Sequence, residues 1–297
     1  RDTARTPRLS ACVTAVLAGY PWAPPLRGQT IQLPFQFRAP NGQNVIDRKL
    51  VSATGQGTIR LSVLADENNT GNAMASLVEV ALASGATTGM RRADRAELWF
   101  FATPAELRGP DRVAVAVAAG DMVYVPKSGV REILAKAGAV TAMLAIVPGG
   151  REGAARAGAL PTPEVSGWRA VPPGPVLLAA KAAKSYPRGP GKVTIFAEPS
   201  KRMTAPTIAA ALLEFPAGMA VPEHVHDKET ELLYVLSGTG TMIVRDAGRT
   251  EPVELAVTAT SVVQIPPGAK HAFTATQNLR AVQIYTPAGP EQRFKVK

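Results

Sequence analysis

The sequence predicts an all-β protein made of two copies of one domain, each a sandwich or barrel, and three observations carry that prediction. Short apolar stretches rich in β-branched residues recur along the chain, bounded by Gly, Pro, Asn or Asp. Gly and Pro number 26 each, so turns are frequent and long helices are disfavoured. The strand rhythm of the second half repeats that of the first at a shift of about 134 residues.

Residues 1–40 are Pro-rich and irregular, with one strand expected at Thr30–Arg38. Alternation then places strands at Thr58–Leu64, Ala75–Leu82, Glu97–Ala102, Val113–Val117, Met122–Val125 and Val140–Val147. Residues 148–175, from Pro148-Gly149-Gly150 to Pro172-Pro173-Gly174-Pro175, break the pattern and read as a linker, although Trp168 suggests that part of it packs down. The rhythm resumes with strands at Lys192–Ala197, Ile208–Phe215, Glu231–Leu236, Gly240–Arg245, Ser261–Ile265, His271–Ala275 and Ala281–Thr286. At the repeat shift, Gly57-Thr58-Ile59 aligns with Gly191-Lys192-Val193, and Glu97-Leu98-Trp99-Phe100 with Glu231-Leu232-Leu233-Tyr234. Gly120-x5-Pro126 falls where Thr260-x5-Pro266 falls. The expected division is 1–147 for the first domain with its N-terminal arm, 148–175 for the linker and 176–297 for the second domain.

Composition bounds the function classes. Apolar residues make up 46%, enough for a sizeable core. The net charge of +10 favours anionic partners, but the basic residues are spread out, with no dense run and no aromatic interleaving. The expectation is therefore a small anionic molecule rather than nucleic acid. A single cysteine, Cys12, excludes an internal disulfide. Leu9-Ser10-Ala11-Cys12 has the form of a lipoprotein cleavage box, but Arg1, Asp2, Arg5 and Arg8 stand where such a box needs an apolar stretch. No run reaches the ~18 apolar residues of a membrane span. A soluble protein is expected, cytoplasmic or periplasmic.

The chain contains three histidines, His224, His226 and His271. The first two form His-x-His, and on a strand residues i and i+2 face the same side, so both imidazoles can aim at one point. Glu231 follows across the polar stretch Asp227–Thr230, and His271 comes just after the rigid turn Pro266-Pro267-Gly268. Three imidazoles and one carboxylate suit a single divalent transition metal: Fe, Mn, Ni, Zn, Co or Cu. Lone histidines are usually satisfied core or surface residues; three at these offsets with a spaced glutamate, and none left over, point to a metal site.

These spacings resemble the cupin superfamily. Gly218-x5-His224-x-His226-x4-Glu231-x6-Gly238 is similar to the first cupin motif at every fixed position, and Pro266-x-Gly268-x2-His271 to the core of the second. The second motif departs at Thr260, where a Gly is usual, and at Ala275, where an Asn is usual. The resemblance implies two tandem double-stranded β-helix (jelly-roll) barrels, a bicupin, with a metal in the mouth of the second. At the repeat shift His224 maps to Met90, His226 to Arg92 and Glu231 to Glu97, while counting from Pro126 maps His271 to Arg131. Arginine stays protonated and cannot ligate a metal. The first barrel is thus expected to keep the fold without the site, with Arg92, Arg131 and Glu97 forming an internal ion pair or holding an anion.

Four protein ligands leave coordination positions open, so the resemblance implies a dioxygenase-like enzyme, or a related lyase or isomerase, acting on a small anionic or aromatic molecule. Two-barrel members that decarboxylate oxalate usually carry metal in both barrels, which favours the dioxygenase-like reading here. A metal-containing binding module without turnover, and a structural bicupin, remain as alternatives. Alternation directs Leu233, Val235, Phe273 and Ala275 into the cavity, turns Glu223 and Tyr234 outward, and makes Gln264 and Tyr285 candidate neighbours. Exposed strand edges are compatible with a homodimer or with cover by residues 1–40.

Overall fold

The structure, a computed structural model, describes residues 14, 15, 18, 44–55, 57–152, 170–200, 203, 207–245 and 251–295. The chain falls into two units, Arg1–Phe37 and Arg38–Lys297. In the first, Thr14, Ala15 and Ala18 are helical. The expected strand at Thr30–Arg38, Cys12, most of the arm, and Trp168 with most of the expected linker lie outside the described residues.

The second unit is built of strands. In chain order they are β1 (Asn44–Asp47), β2 (Ile59–Ala65), β3 (Ser76–Leu82), β4 (Arg91–Arg92), β5 (Ala96–Phe101), β6 (Ala105–Arg108), β7 (Ala114–Val117), β8 (Met122–Val125), β9 (Val130–Leu134) and β10 (Val140–Val147). They continue with β11 (Val176–Leu178), β12 (Lys184–Arg188), β13 (Gly191–Ala197), β14 (Ala209–Phe215), β15 (Ala220–His224), β16 (Thr230–Ser237), β17 (Gly240–Arg245), β18 (Val253–Val257), β19 (Ser261–Ile265), β20 (Lys270–Ala275) and β21 (Leu279–Thr286). The expected strands after residue 40 all appear, with ends shifted by a residue or two. The short, charged or Pro-bearing strands β1, β4, β6, β9, β11, β12, β15 and β18 escaped the period-2 search because their apolar signal is weak.

Each copy is a large sheet facing a four-stranded one. In the first barrel the order β11-β8-β5-β10-β3-β2 faces β4-β9-β6-β7; in the second, β1-β19-β16-β21-β14-β13-β12 faces β15-β20-β17-β18. Two strands are exchanged across the expected domain divisions. β1 pairs with β19 of the second barrel, and β11 pairs with β8 of the first. Because β8 and β19 are repeat equivalents, the exchange is symmetric and covers a sheet edge in each barrel.

Burial explains why several strands read as continuous apolar runs. The inner faces form two separate cores, one around Trp99, Phe101 and Leu144, the other around Leu213, Val235 and Val263. A third cluster joins the outer faces of the two large sheets: Leu98, Phe100, Met122 and Met143 of the first meet Leu232, Val262, Val282 and Ile284 of the second. β5 is consequently buried at all six positions, Ala96–Phe101. Burying one such side chain stabilises by about 1.5–3 kcal/mol, so the barrels are held back to back by hydrocarbon.

The turns show where the copies diverge. Gly120 takes the left-handed conformation at φ 89°, and its counterpart Thr260 takes it at φ 72°. In the following turn the roles reverse: Gly268 at φ 81° is matched by Ser128 at φ 67°.

Candidate metal centre

The four predicted side chains converge. One ligand atom from each of His224, His226, Glu231 and His271 lies within 4.8 Å of all the others. With metal–nitrogen bonds of about 2.1 Å, donors around one ion stand about 3 to 4 Å apart, so a small contraction suffices to close the set. His224 ends β15 and pairs in register with His271 of β20, their rings 4.1 Å apart. Glu231 rises from β16 on the opposite sheet.

His224 and His226 do not share a strand face, contrary to the expectation from their spacing. His226 lies beyond the end of β15, and the β15–β20 register shifts between Val221 and His224. Strand alternation therefore does not align the two imidazoles. The segment after His224 bends inward, and Gly268 pins it by donating its N–H to the His226 carbonyl at 2.8 Å.

Hydrogen bonds set the imidazole tautomers. His224 Nδ1 lies 2.9 Å from the Pro222 carbonyl, and His271 Nδ1 lies 3.0 Å from that of Ala269. A carbonyl only accepts, so both Nδ1 atoms carry protons and both Nε2 atoms are turned to the centre. Glu231 Oε2 stands 3.1 Å from His271 Nε2 and 3.3 Å from His226 Nε2. His226 Nε2 is buried yet has no hydrogen-bond partner, since its approach to Glu231 lacks the angle. An orphaned imidazole nitrogen aimed at two others and a carboxylate is the arrangement a divalent ion satisfies.

The electrostatics agree. Although burial opposes its charge, the close imidazoles of His226 and His271 hold the Glu231 carboxyl well below its usual range. Burial disfavours the charged form of His271, but the Glu231 carboxylate outweighs it and raises the imidazole above 6.5. His224 moves the other way, to about 4, through burial and the neighbouring His271. Burial and the Glu231 charge push Tyr285 well above the ordinary phenol value, so its hydroxyl stays protonated.

A cavity of about 210 Å³ opens beside His224, Glu231 and His271. Leu233, Val235 and Phe273 line it as expected, while Ala275 is buried in the same core. Glu223 is exposed and reaches the cavity rim, against the expectation that it turns away, because the bulged strand does not keep strict alternation. Tyr234 does face outward, against the inter-barrel cluster. Of the two candidate neighbours, Tyr285 stands 5.2 Å from the His226 ring. Gln264 lies between the inward-facing Val263 and Ile265 and opposite Leu232, on the inter-barrel side.

Three residues of the site were not anticipated. Gln283 donates to Glu231 Oε1 at 2.6 Å and to Tyr285 Oη at 2.7 Å, fixing the carboxylate. Its signal was present: Ala281, Gln283 and Tyr285 alternate inward on β21, and a glutamine on such a face needs a partner. Arg188 on β12 and Arg293 in the 3-10 helix Pro290–Lys295 both reach the cavity. Neither has a signature in the sequence, since short helices and edge strands carry no clear period.

In the first barrel the equivalent place is filled by protein. Arg131 Nε and Nη2 each donate to Glu97 at 3.0 Å, Trp99 Nε1 donates to Glu97 Oε2 at 2.8 Å, and the guanidinium lies 5.0 Å from the Trp99 ring centre. The ion-pair expectation is met by Arg131 and Glu97. Arg92 pairs by backbone with Val130 and lies outside the Arg131–Glu97 pair.

Fold and site together define a two-barrel cupin fold, a bicupin, in which a set of three imidazoles and one carboxylate able to hold a metal stands only in the second barrel among the described residues. Residues 211–285 match the family described as "Cupin domain". No curated protein matches the chain by sequence. Solved structures with similar folds include the oxalate decarboxylase of Bacillus subtilis, with TM-score 0.69 and 15% identity over 88% of this chain and 85% of that one. The formate complex of Lactobacillus farciminis oxalate decarboxylase aligns with TM-score 0.67 and 17% identity over 84% of this chain and 87% of that one. A Bacillus subtilis oxalate decarboxylase structure concerned with Mn(II) centres aligns with TM-score 0.65 and 15% identity over 88% and 86%. At these identities the likeness is one of fold. Among the described residues, no helix is long and apolar enough to cross a membrane.

Proposed function

We propose that this bicupin is a metal-dependent enzyme in which His224, His226, Glu231 and His271 hold one divalent transition metal ion and a small organic molecule reacts in the adjoining cavity. The observation that carries the reading is the orphaned Nε2 of His226, buried against three further donors, His224, Glu231 and His271, that themselves line an open cavity. Bound there, the ion supplies Lewis-acid polarisation of a substrate oxygen and, if it is iron, chemistry with O2.

The chain's own residues do the rest. The Pro222 and Ala269 carbonyls hold the imidazoles in the ligating tautomer, and Gln283 fixes Glu231. Tyr285 keeps a proton at Oη beside His226. The hydrocarbon walls, Leu213, Phe215, Met242 and Phe273 among them, exclude water and favour a substrate with an apolar body. An apolar cavity and a metal site in one barrel support dioxygenase-like oxidation. A metal-dependent lyase is the second reading, favoured by the fold shared with oxalate decarboxylases.

Metal analysis of the purified protein, followed by O2-uptake and CO2-release assays over catechols, enediols and small carboxylic acids, tests both. One ion per chain and turnover lost in His224→Ala are expected. Turnover that persists in that variant overturns the assignment, and O2 uptake against CO2 release separates the two reactions.

A further inference from the structure

The cavity is walled mainly by hydrocarbon, yet Arg293 stands at the metal centre. Its Nη2 lies 3.5 Å from His224 Nε2, an atom offered to the metal, and 2.9 Å from Tyr285 Oη. Among the described residues, no carboxylate pairs with the Arg293 guanidinium, whereas Lys295 on the same helix pairs with Glu198. The helix is well anchored. Glu291 is 1% exposed and accepts the Gly289 N–H at 2.6 Å, Gln292 donates to Glu198 at 3.0 Å, and Phe294 is buried in the barrel core. The guanidinium also lies 5.2 Å from the Phe294 ring centre. Arg293 is therefore held in place before anything binds.

Charge then decides what fits. The four ligands bring one negative charge, that of Glu231, so a divalent ion leaves the centre cationic with a second cation beside it. In an apolar cavity such a pair repels strongly unless an anion lies between. A planar guanidinium matches the two oxygens of a carboxylate better than it matches any neutral group. Beyond the Gln283 amide and the rim residues Arg188 and Glu223 the remaining walls are hydrocarbon, so most of the ligand is hydrocarbon too. At about 30 Å³ per water, the cavity holds the equivalent of about seven waters, room for a ring or a short chain.

We propose that Arg293 is the specificity-determining residue of this site, receiving the carboxylate of a small organic monoacid whose apolar body lies among Leu213, Phe215, Val235, Phe273 and Phe294. The assignment rests on the functional reading above in taking the cavity as the substrate site. Arg188 and Glu223 are both exposed at the cavity mouth, so the rim adds no net charge of its own.

The test is calorimetric titration of the full-length, zinc-loaded protein with benzoate and with benzamide, which share a shape and differ in charge. Zinc has no redox chemistry, so binding is read without turnover. Benzoate is expected to bind at least tenfold tighter than benzamide, Arg293→Gln to abolish that preference at unchanged zinc content, and Arg293→Lys to retain part of it. A preference that persists in Arg293→Gln, or that is absent from the parent protein, overturns the assignment. Zinc analysis of the same samples keeps the two readings apart. Loaded protein indifferent to ligand charge sinks the role of Arg293 alone. Protein that takes up no zinc sinks the metal reading, and the same titration of the metal-free chain then decides on Arg293.

Discussion

Arg131 grips Glu97 through two hydrogen bonds of 3.0 Å in the first barrel, at the positions His271 and Glu231 occupy in the second. Both side chains are essentially inaccessible, at 0% and 2%. The first barrel thus closes its centre with a salt bridge where the second converges imidazoles and a carboxylate.

That pair yields the first prediction. Removing one partner leaves a buried, uncompensated charge, which costs about 3–5 kcal/mol, whereas replacing both by hydrocarbon is often close to neutral. Arg131→Met and Glu97→Leu are each expected to lower the denaturation midpoint sharply, and the double variant to recover part of the loss, because the buried Trp99 Nε1 still lacks its Glu97 acceptor. Additive losses in a double-mutant cycle would mean that the pair is not coupled as drawn. Metal content should stay at one ion per chain throughout.

Gln283 is expected to act on metal affinity without being a ligand. Its bond to Glu231 Oε1 leaves Oε2 facing the imidazoles. Loss of such outer partners typically weakens metal binding 10- to 100-fold. Competition with a chelator should place Gln283→Leu in that range and His271→Ala beyond it. Wild-type affinity in Gln283→Leu would show that Glu231 needs no such support.

The strained turns give a third. A non-glycine residue in the left-handed region is disfavoured by about 1–2 kcal/mol, partly offset by the greater freedom glycine loses on folding. Thr260 adds a β-branched side chain, and its buried Oγ1 has no partner among the described residues. Thr260→Gly should stabilise by about 0.5–1 kcal/mol in urea denaturation, and Ser128→Gly by somewhat less. A lower midpoint for Thr260→Gly would show that its methyl packing outweighs the strain.

The metal-free protein should have a maximum of stability near pH 6.5. His271 is raised in the fold, so its contribution is full below 6.5 and is lost as pH climbs through its raised value. His224 is depressed to about 4, so its contribution is full above 6.5 and is lost between 6.5 and 4. Glu231, held well below 4.5, withdraws its contribution as pH falls further. Metal replaces the His271 proton, so loading should remove the alkaline decline. Melting curves from pH 4 to 9, with and without zinc, read this directly. A metal-free profile that keeps rising above 6.5 would contradict the Glu231–His271 pairing.

The main strands and the four donor residues were legible in the linear chain for a simple reason. Period-2 alternation and fixed spacings such as His224-x-His226-x4-Glu231 are local, and local geometry carries them into the fold. Arg131 opposite Glu97 was legible too, since the duplication lets one copy be read against the other.

Relations without local periodicity could not be read that way. The exchange of β1 and β11, the seating of Arg293 beside His224 and the bend that turns His226 inward beyond β15 depend on segments far apart in the chain. So does the back-to-back packing that buries both faces of β5 and β16. These are settled by which apolar surfaces and which unpaired N–H, C=O and charged groups find one another once the chain has closed, a matter of the free energy of the whole packing rather than of any one stretch.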